Sequence, residues 1–197
     1  VLDVGTGTGA IAVALVPAVG RVVGVDLVPE LLAEARKRSP PEVVFLEADA
    51  ARLPFAAASF DLVCSARTLH HMLRPEAALA EMTRVLRVGG TMLIVDELAE
   101  ADPERASGRE RFERARDPST CHIHSDTELR GLFARNALSL TRAELVTETR
   151  QLDSYLDLAG CEGEARREAV ALAPARLDTL VGWYVLEKRE AGGCRRA

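Results

Sequence analysis

The stretch VLDVGTGTGAIAVALVPAV (residues 1–19) joins an apolar run, a glycine-rich turn and a second apolar run. VLDV reads as a strand entering the turn GTGTG, and the run from Ala10 reads as a short helix that Pro17 and Gly20 stop. Gly5, Gly7 and Gly9 carry no side chains, so the backbone of this turn can approach a ligand closely. The helix behind the turn opens with N–H groups that lack intrahelical partners. Two readings follow: a nucleotide-cofactor turn, or a tight turn that merely needs positive φ.

The same alternation continues outward from this unit. RVVGVD (residues 21–26) reads as a second strand, and Pro29 opens the helix PELLAEARKR, with acids early and bases late as a helix dipole favours. VVFLEA (43–48) and FDLVCS (60–65) are short β-rich runs, PEAALAEMTRVLR (75–87) is a helix expected to end at Gly89-Gly90, and TMLIVD (91–96) is a fifth strand. These strands are apolar on both faces, which predicts a parallel sheet covered on both sides. Further on, Ser125 and Glu128 have the spacing of a capping box opening another helix, and Leu138 to Thr147 reads as a strand. Residues 151–178 read as helical with a break near Gly160 to Gly163, and VGWYVLEK (181–188) as a closing strand. The fold expected is α/β: a doubly wound, Rossmann-like seven-stranded sheet, mostly parallel with an antiparallel last strand.

At 197 residues, 48% hydrophobic and 28% charged, the chain has the composition of one globular domain. We expect it over residues 1–190, with a densely charged segment at 97–124 covering the substrate and a tail at 191–197. Within that segment, DPERASGRERFERARD (102–117) reads as a solvated helix or an ordered insertion above the strand ends. The net charge of −5 has the wrong sign for a protein drawing its affinity from phosphate backbones, which disfavours nucleic acid as a partner. The longest uncharged apolar stretch, Ala10 to Val19, is too short for a membrane span. Cys64, Cys121, Cys161 and Cys194 are scattered without a CxxC pair, which argues against a disulfide framework or zinc site and points to a reducing cytoplasm. Residue 1 already belongs to a strand, so the start reads as a truncation.

Acidic residues near the strand ends narrow the cofactor class. Asp3, two residues before Gly5, would repel an anionic pyrophosphate but suits a cationic amino group. The spacing GxGxG also departs from the dinucleotide pattern GxGxxG, which disfavours an NAD-dependent oxidoreductase. Asp26 closes the second strand, 17 residues after Gly9, where it can accept both hydroxyls of a ribose. Asp49-Ala50 follows the third strand and reads as a contact to an adenine amino group or as a turn cap.

Together these segments resemble the class I S-adenosylmethionine (SAM) dependent methyltransferases of the methyltransferase-11 type. VLDVGTGTG resembles the first motif of that family and VVGVDLVPELLAEAR the ribose motif. LEADAARLPFAAASFDLV is similar to the adenine and fourth-strand motifs, and PEAALAEMTRVLRVGGTMLIVD to the helix and fifth strand after them. The resemblance implies that Asp3, Gly5 and Gly7 hold the methionine end of SAM, Asp26 the ribose, Leu27 one adenine face, and Asp49 with Ala50 the adenine edge. It also implies that Ser65 approaches the methionine moiety. The segment RDPSTCHIHS (116–125) resembles one found in relatives grouped with the ubiquinone and menaquinone biosynthesis methyltransferases, and the expected acceptor is a small molecule, a quinone precursor or a secondary metabolite. A SAM-binding partner or sensor without turnover is the other reading.

Methyl transfer from a sulfonium needs alignment and exclusion of water more than covalent help, so acceptor-side residues leave faint traces. SARTLHH (65–71) stands where amino-group methyltransferases of nucleic-acid bases resemble each other in [DNS]PP[YF], which disfavours a base as acceptor. His70 and His71 are candidate general bases there, against a structural role in the turn. Arg67, Arg116, His122 and His124 are candidate acceptor contacts, against bracing or surface roles. No metal site is expected, because adjacent histidines point apart and His122 with His124 lacks a third ligand nearby in sequence.

Overall fold

The computed structural model describes residues 1–190, and the expected tail at 191–197 lies outside the described residues. Strands β1 (Leu2–Val4), β2 (Val22–Asp26), β3 (Val43–Glu47), β4 (Phe60–Ala66), β5 (Leu86–Glu97), β6 (Leu138–Thr149) and β7 (Asp178–Lys188) form one seven-stranded sheet in the order 3-2-1-4-5-7-6. β1 to β5 run parallel, while β7 is antiparallel to both of its neighbours, β5 and β6. The last strand in sequence is thus inserted between β5 and β6 rather than placed at the edge.

Helices α1 (Ala10–Val19) and α2 (Pro29–Arg38) connect the first three strands, burying Ala12, Leu32 and Ala35 against Val22, Val43 and Phe45. The larger core joins Leu2, Val4, Val63, Met92 and Ile94 of the sheet to Leu79, Met82 and Val85 of α3 (Pro75–Val85) and to Leu129, Leu132 and Phe133 of α5 (Asp126–Arg135). Glu128 completes the capping box at the start of α5: the Ser125 hydroxyl accepts from the Glu128 N–H and the Glu128 carboxylate accepts from the Ser125 N–H. A third cluster stands apart. It packs Phe112 of α4 (Pro103–Arg116) against Tyr155 and Leu156 of α6 (Leu152–Leu158), Ala169 of α7 (Gly163–Leu172), Cys161 and Leu177.

Two local expectations are corrected. Helix α3 does not run to Gly89-Gly90. Fully buried Leu86 already pairs with Phe60 and opens β5, and the glycines occupy the irregularity where the register shifts between Phe60 and Leu62. Gly90 has no room for a β-carbon there, since one would stand 2.8 Å from the Arg87 carbonyl oxygen. Pro17 does not stop α1 but lies inside its last turn, where only one backbone hydrogen bond is forfeited, and Gly20 ends the helix with its N–H on the Val16 carbonyl. Among the described residues, no helix is long and apolar enough to cross a membrane.

Strand order reverses between β1 and β4, since β2 and β3 extend to one side of β1 and β4 and β5 to the other. In an open α/β sheet such a switch point leaves a crevice outside the carboxyl ends of the strands.

Candidate functional site

A cavity of about 550 Å³ occupies this crevice, lined by Gly5 and Gly7 of the first turn, Asp26 at the end of β2 with Leu27, Val28 and Leu31 beyond it, and Ala48 to Ala51 after β3. Its opposite wall is Arg67, Thr68, His71, Met72, Leu73 and Arg74, with Asp117 and Ser119 reaching in from the segment after α4.

The first turn is tied to β2 at both ends. The N–H groups of Gly5 and Thr6 donate to the Val25 carbonyl at 2.8 and 2.9 Å, and the N–H of Gly7 donates to the Asp26 carboxylate at 2.8 Å. The second Asp26 oxygen accepts from the N–H of Val28 at 3.0 Å. Each oxygen has a lone pair left for a ligand hydroxyl. Gly5 has φ +71°, and a β-carbon there would collide with the Thr68 side chain. Gly7 has φ +53°, lines the cavity and, apart from itself and its two chain neighbours, has no protein atom within 4 Å of where its β-carbon would stand. That open space beside the backbone is available to a ligand.

Behind the turn, Asp3 is buried and does not line the cavity. Its carboxylate accepts from the Thr6 hydroxyl at 2.7 Å, and burial, with the nearby charge of Asp26, pushes its pKa above the ordinary value despite that bond. The Asp26 carboxylate gives this wall of the cavity a negative charge, which favours a cationic ligand group over a pyrophosphate. Ser65 is likewise buried at the end of β4 outside the cavity lining, and among the described residues its hydroxyl has no hydrogen-bond partner. Asp49 lines the cavity and also accepts from the Ala51 N–H at 2.8 Å, so it is both wall and turn residue.

The two histidines divide. His70 is buried in a single turn of 3₁₀ helix, its Nδ1 2.5 Å from an Asp96 oxygen and its N–H 3.1 Å from the other. Burial opposes protonation of His70, but the Asp96 charge and hydrogen bond outweigh it, so its pKa is raised. His71 lines the cavity, and burial together with the His70 charge lowers its pKa. The neutral imidazole at the cavity wall is His71.

The remaining candidates lie elsewhere. Arg67 lines the cavity, but its guanidinium is held by both Glu148 oxygens at 2.8 Å and by Glu97 at 3.2 Å. Arg116 does not line the cavity: it pairs with Glu113 at 2.7 Å and lies over the Tyr155 ring. Tyr155 in turn bonds Glu97 and Glu113, and Arg109 pairs with Glu113, so the charged face of α4 is in part buried against α6 rather than solvated. His122 and His124 line an adjoining cavity of about 530 Å³, which meets the first at Met72 and Leu73. Among the described residues, no three His, Cys, Asp or Glu side chains are grouped to hold a metal ion. Sequence reasoning missed Thr68, Met72, Leu73, Asp117 and Ser119. Only the placement of 97–124 as a cover hinted at the last two.

A cavity at the switch point of a sheet ordered 3-2-1-4-5-7-6 has the architecture of the Rossmann-like methyltransferases. The family described as "Methyltransferase domain" matches residues 2–94. Over 174 residues, 86% of the chain, the sequence is 30% identical to the uncharacterized methyltransferase YcgJ of Bacillus subtilis, of which it spans 69%. The protein belongs to this methyltransferase family. The YcgJ crystal structure superposes with a TM-score of 0.82 at 25% identity, covering 96% of this chain and 92% of that one. Protein BH2331 of Bacillus halodurans shares the fold with a TM-score of 0.86 at 23% identity, covering 96% of this chain and 92% of its own. Demethylmenaquinone methyltransferase of Thermus thermophilus is 41% identical over 101 residues, 49% of this chain and 46% of that protein, so the chain spans about half the length of this relative.

Proposed function

We propose that the protein transfers a methyl group from SAM to a small-molecule acceptor with an apolar body. The observation that carries this reading is one cavity combining an open glycine backbone at Gly7 with a carboxylate at Asp26 that has lone pairs to spare, while Asp3 is buried behind the same turn. SAM supplies an electrophilic methyl on a sulfonium. Asp26 accepts the ribose hydroxyls, Leu27 packs on one adenine face, Asp49 and Ala50 meet the adenine edge, and Gly5, Gly7, Asp3 and Ser65 surround the methionine end. On the acceptor side Met72 and Leu73 offer apolar surface, and Leu73 is 87% exposed. That chemistry suits a quinone precursor, in line with the name of the Thermus relative. Incubation with methyl-labelled SAM and a metabolite extract, followed by identification of the labelled product, tests the reading. SAM binding without any labelled product would leave a binding subunit instead.

Two binding predictions accompany it. Asp26→Ala removes charge-assisted hydrogen bonds to two hydroxyls and is expected to cost roughly 1.5–3 kcal/mol, about tenfold or more in SAM affinity. Calorimetry giving the parent's affinity would remove Asp26 from the site. Gly7→Ala is expected to fold with a loss of about 1–2 kcal/mol from its positive φ, yet to bind SAM roughly tenfold or more weakly, because the added methyl stands in ligand space. Unchanged affinity in a folded variant would place the ligand away from this turn.

A further inference from the structure

We propose that Ser119 and Asp117 are positioning residues that fix His71 with its proton on Nδ1 and leave Nε2 as the proton acceptor facing the cavity. The base role rests on the transferase reading above. The tautomer itself follows from hydrogen-bond counting.

The Ser119 hydroxyl is 2.9 Å from His71 Nδ1 and 2.6 Å from an Asp117 oxygen. A hydroxyl has one proton, and an ionised carboxylate can only accept. The Ser119 proton therefore points to Asp117, and the lone pair facing His71 must receive an N–H. Burial would push the Asp117 carboxyl up, but the hydroxyl and N–H of Ser119, with the charges of His71 and Arg116, hold it below the ordinary value. Asp117 is thus the ionised end of the chain Asp117–Ser119–His71.

This assembly is held to the histidine turn by its own backbone. The N–H groups of Cys121 and His122 donate to the His70 carbonyl at 2.8 and 3.1 Å, and the Cys121 thiol donates to the His71 carbonyl at 3.2 Å. Consecutive histidines are therefore oriented by carboxylates from different elements, His70 by Asp96 of β5 and His71 by Asp117 of the segment after α4. The charged and titratable groups facing His71 are His70 on its own turn, its ring centroid 4.0 Å away, Asp96 from β5, and Asp117. The side-chain hydrogen bond to the His71 ring is at Nδ1.

In the transfer, the acceptor's X–H bond breaks and its proton goes to Nε2. The electron pair on X forms the bond to the methyl carbon, and the pair of the breaking S–C bond stays on sulfur. The imidazolium so formed keeps its Nδ1–H on Ser119, with Asp117 beyond it as counter-charge.

Two-bond proton–nitrogen correlation spectra of the ¹⁵N-histidine-labelled protein, near pH 8 where a histidine of lowered pKa is neutral, read the tautomer directly. The signal is assigned by its loss in His71→Gln. The expected result is an Nδ1–H imidazole for His71, loss of that signature in Ser119→Ala, and its retention in Ser119→Thr. An Nε2–H imidazole in the parent, or an unchanged Nδ1–H signature in Ser119→Ala, overturns the proposal. S-adenosylhomocysteine titrated into the same samples separates the two levels: failure of the parent to bind overturns the transferase reading and the base role with it, whichever tautomer is observed.

Discussion

Replacing His71 with Gln is expected to lower methyl-transfer turnover by roughly 10²–10⁴ while leaving SAM affinity within about twofold of the parent. His71 lines the cavity as a neutral ring, whereas His70 is buried against Asp96 and lines none of it. Burial and the charge of His70 keep the His71 pKa below the ordinary histidine value of about 6.5. A base must be unprotonated to act, so the parent rate is expected to hold level through neutral pH and to fall only as pH drops through that lowered pKa. Steady-state kinetics on the labelled acceptor, measured across pH, check both statements. Full turnover in His71→Gln would leave alignment alone to account for the rate.

Asp96→Ala is expected to destabilise the fold by about 3–5 kcal/mol, a large fraction of the 5–15 kcal/mol typical of a domain. Its carboxylate accepts from the His70 ring, from the His70 N–H and from the N–H of Glu97, all buried, and alanine leaves these donors without a partner. The sign of the pH dependence follows from the raised pKa of His70. A raised folded-state pKa means the folded protein holds a proton that the unfolded chain gives up near pH 6.5. The stabilisation is thus fully present below about pH 6.5 and fades as pH rises through the folded-state value. Urea unfolding of parent and variant over that alkaline window measures it. A variant as stable as the parent with the same pH slope would show that the pair contributes nothing.

Local patterns made one half of the molecule legible. The glycine turn, Asp26 and Asp49 each sit where an apolar run ends, so their places at the carboxyl edge could be read without knowing the strand order. The capping box at Ser125 and Glu128 was readable for the same reason. Long-range pairing hid the rest. Arg67 looks like a free cation until Glu148, 81 residues later, is brought beside it, and Arg116 looks solvated until Tyr155 is folded under it. Neighbouring histidines give no periodic signal to separate the one packed on β5 from the one at the cavity wall. Gly89-Gly90 reads as a helix stop because a bulge and a C-cap call for the same residue.

The cluster of Phe112, Tyr155, Leu156, Cys161, Ala169 and Leu177 gives α4, α6 and α7 an apolar interior distinct from the core beneath the sheet. The family match ends at residue 94, just before this region begins. Physical independence of that kind makes the molecule modular. Substitutions inside this helical cap are expected to be absorbed by its own packing, with little effect on the core that carries the turn at Gly5 to Gly9. The cap's ties to the rest of the molecule are few and specific: Arg67 bonds Glu97 and Glu148, and the segment after α4 is held to the His70-His71 turn through Ser119, Cys121 and His122, so redesign of the cap meets its strongest constraints there.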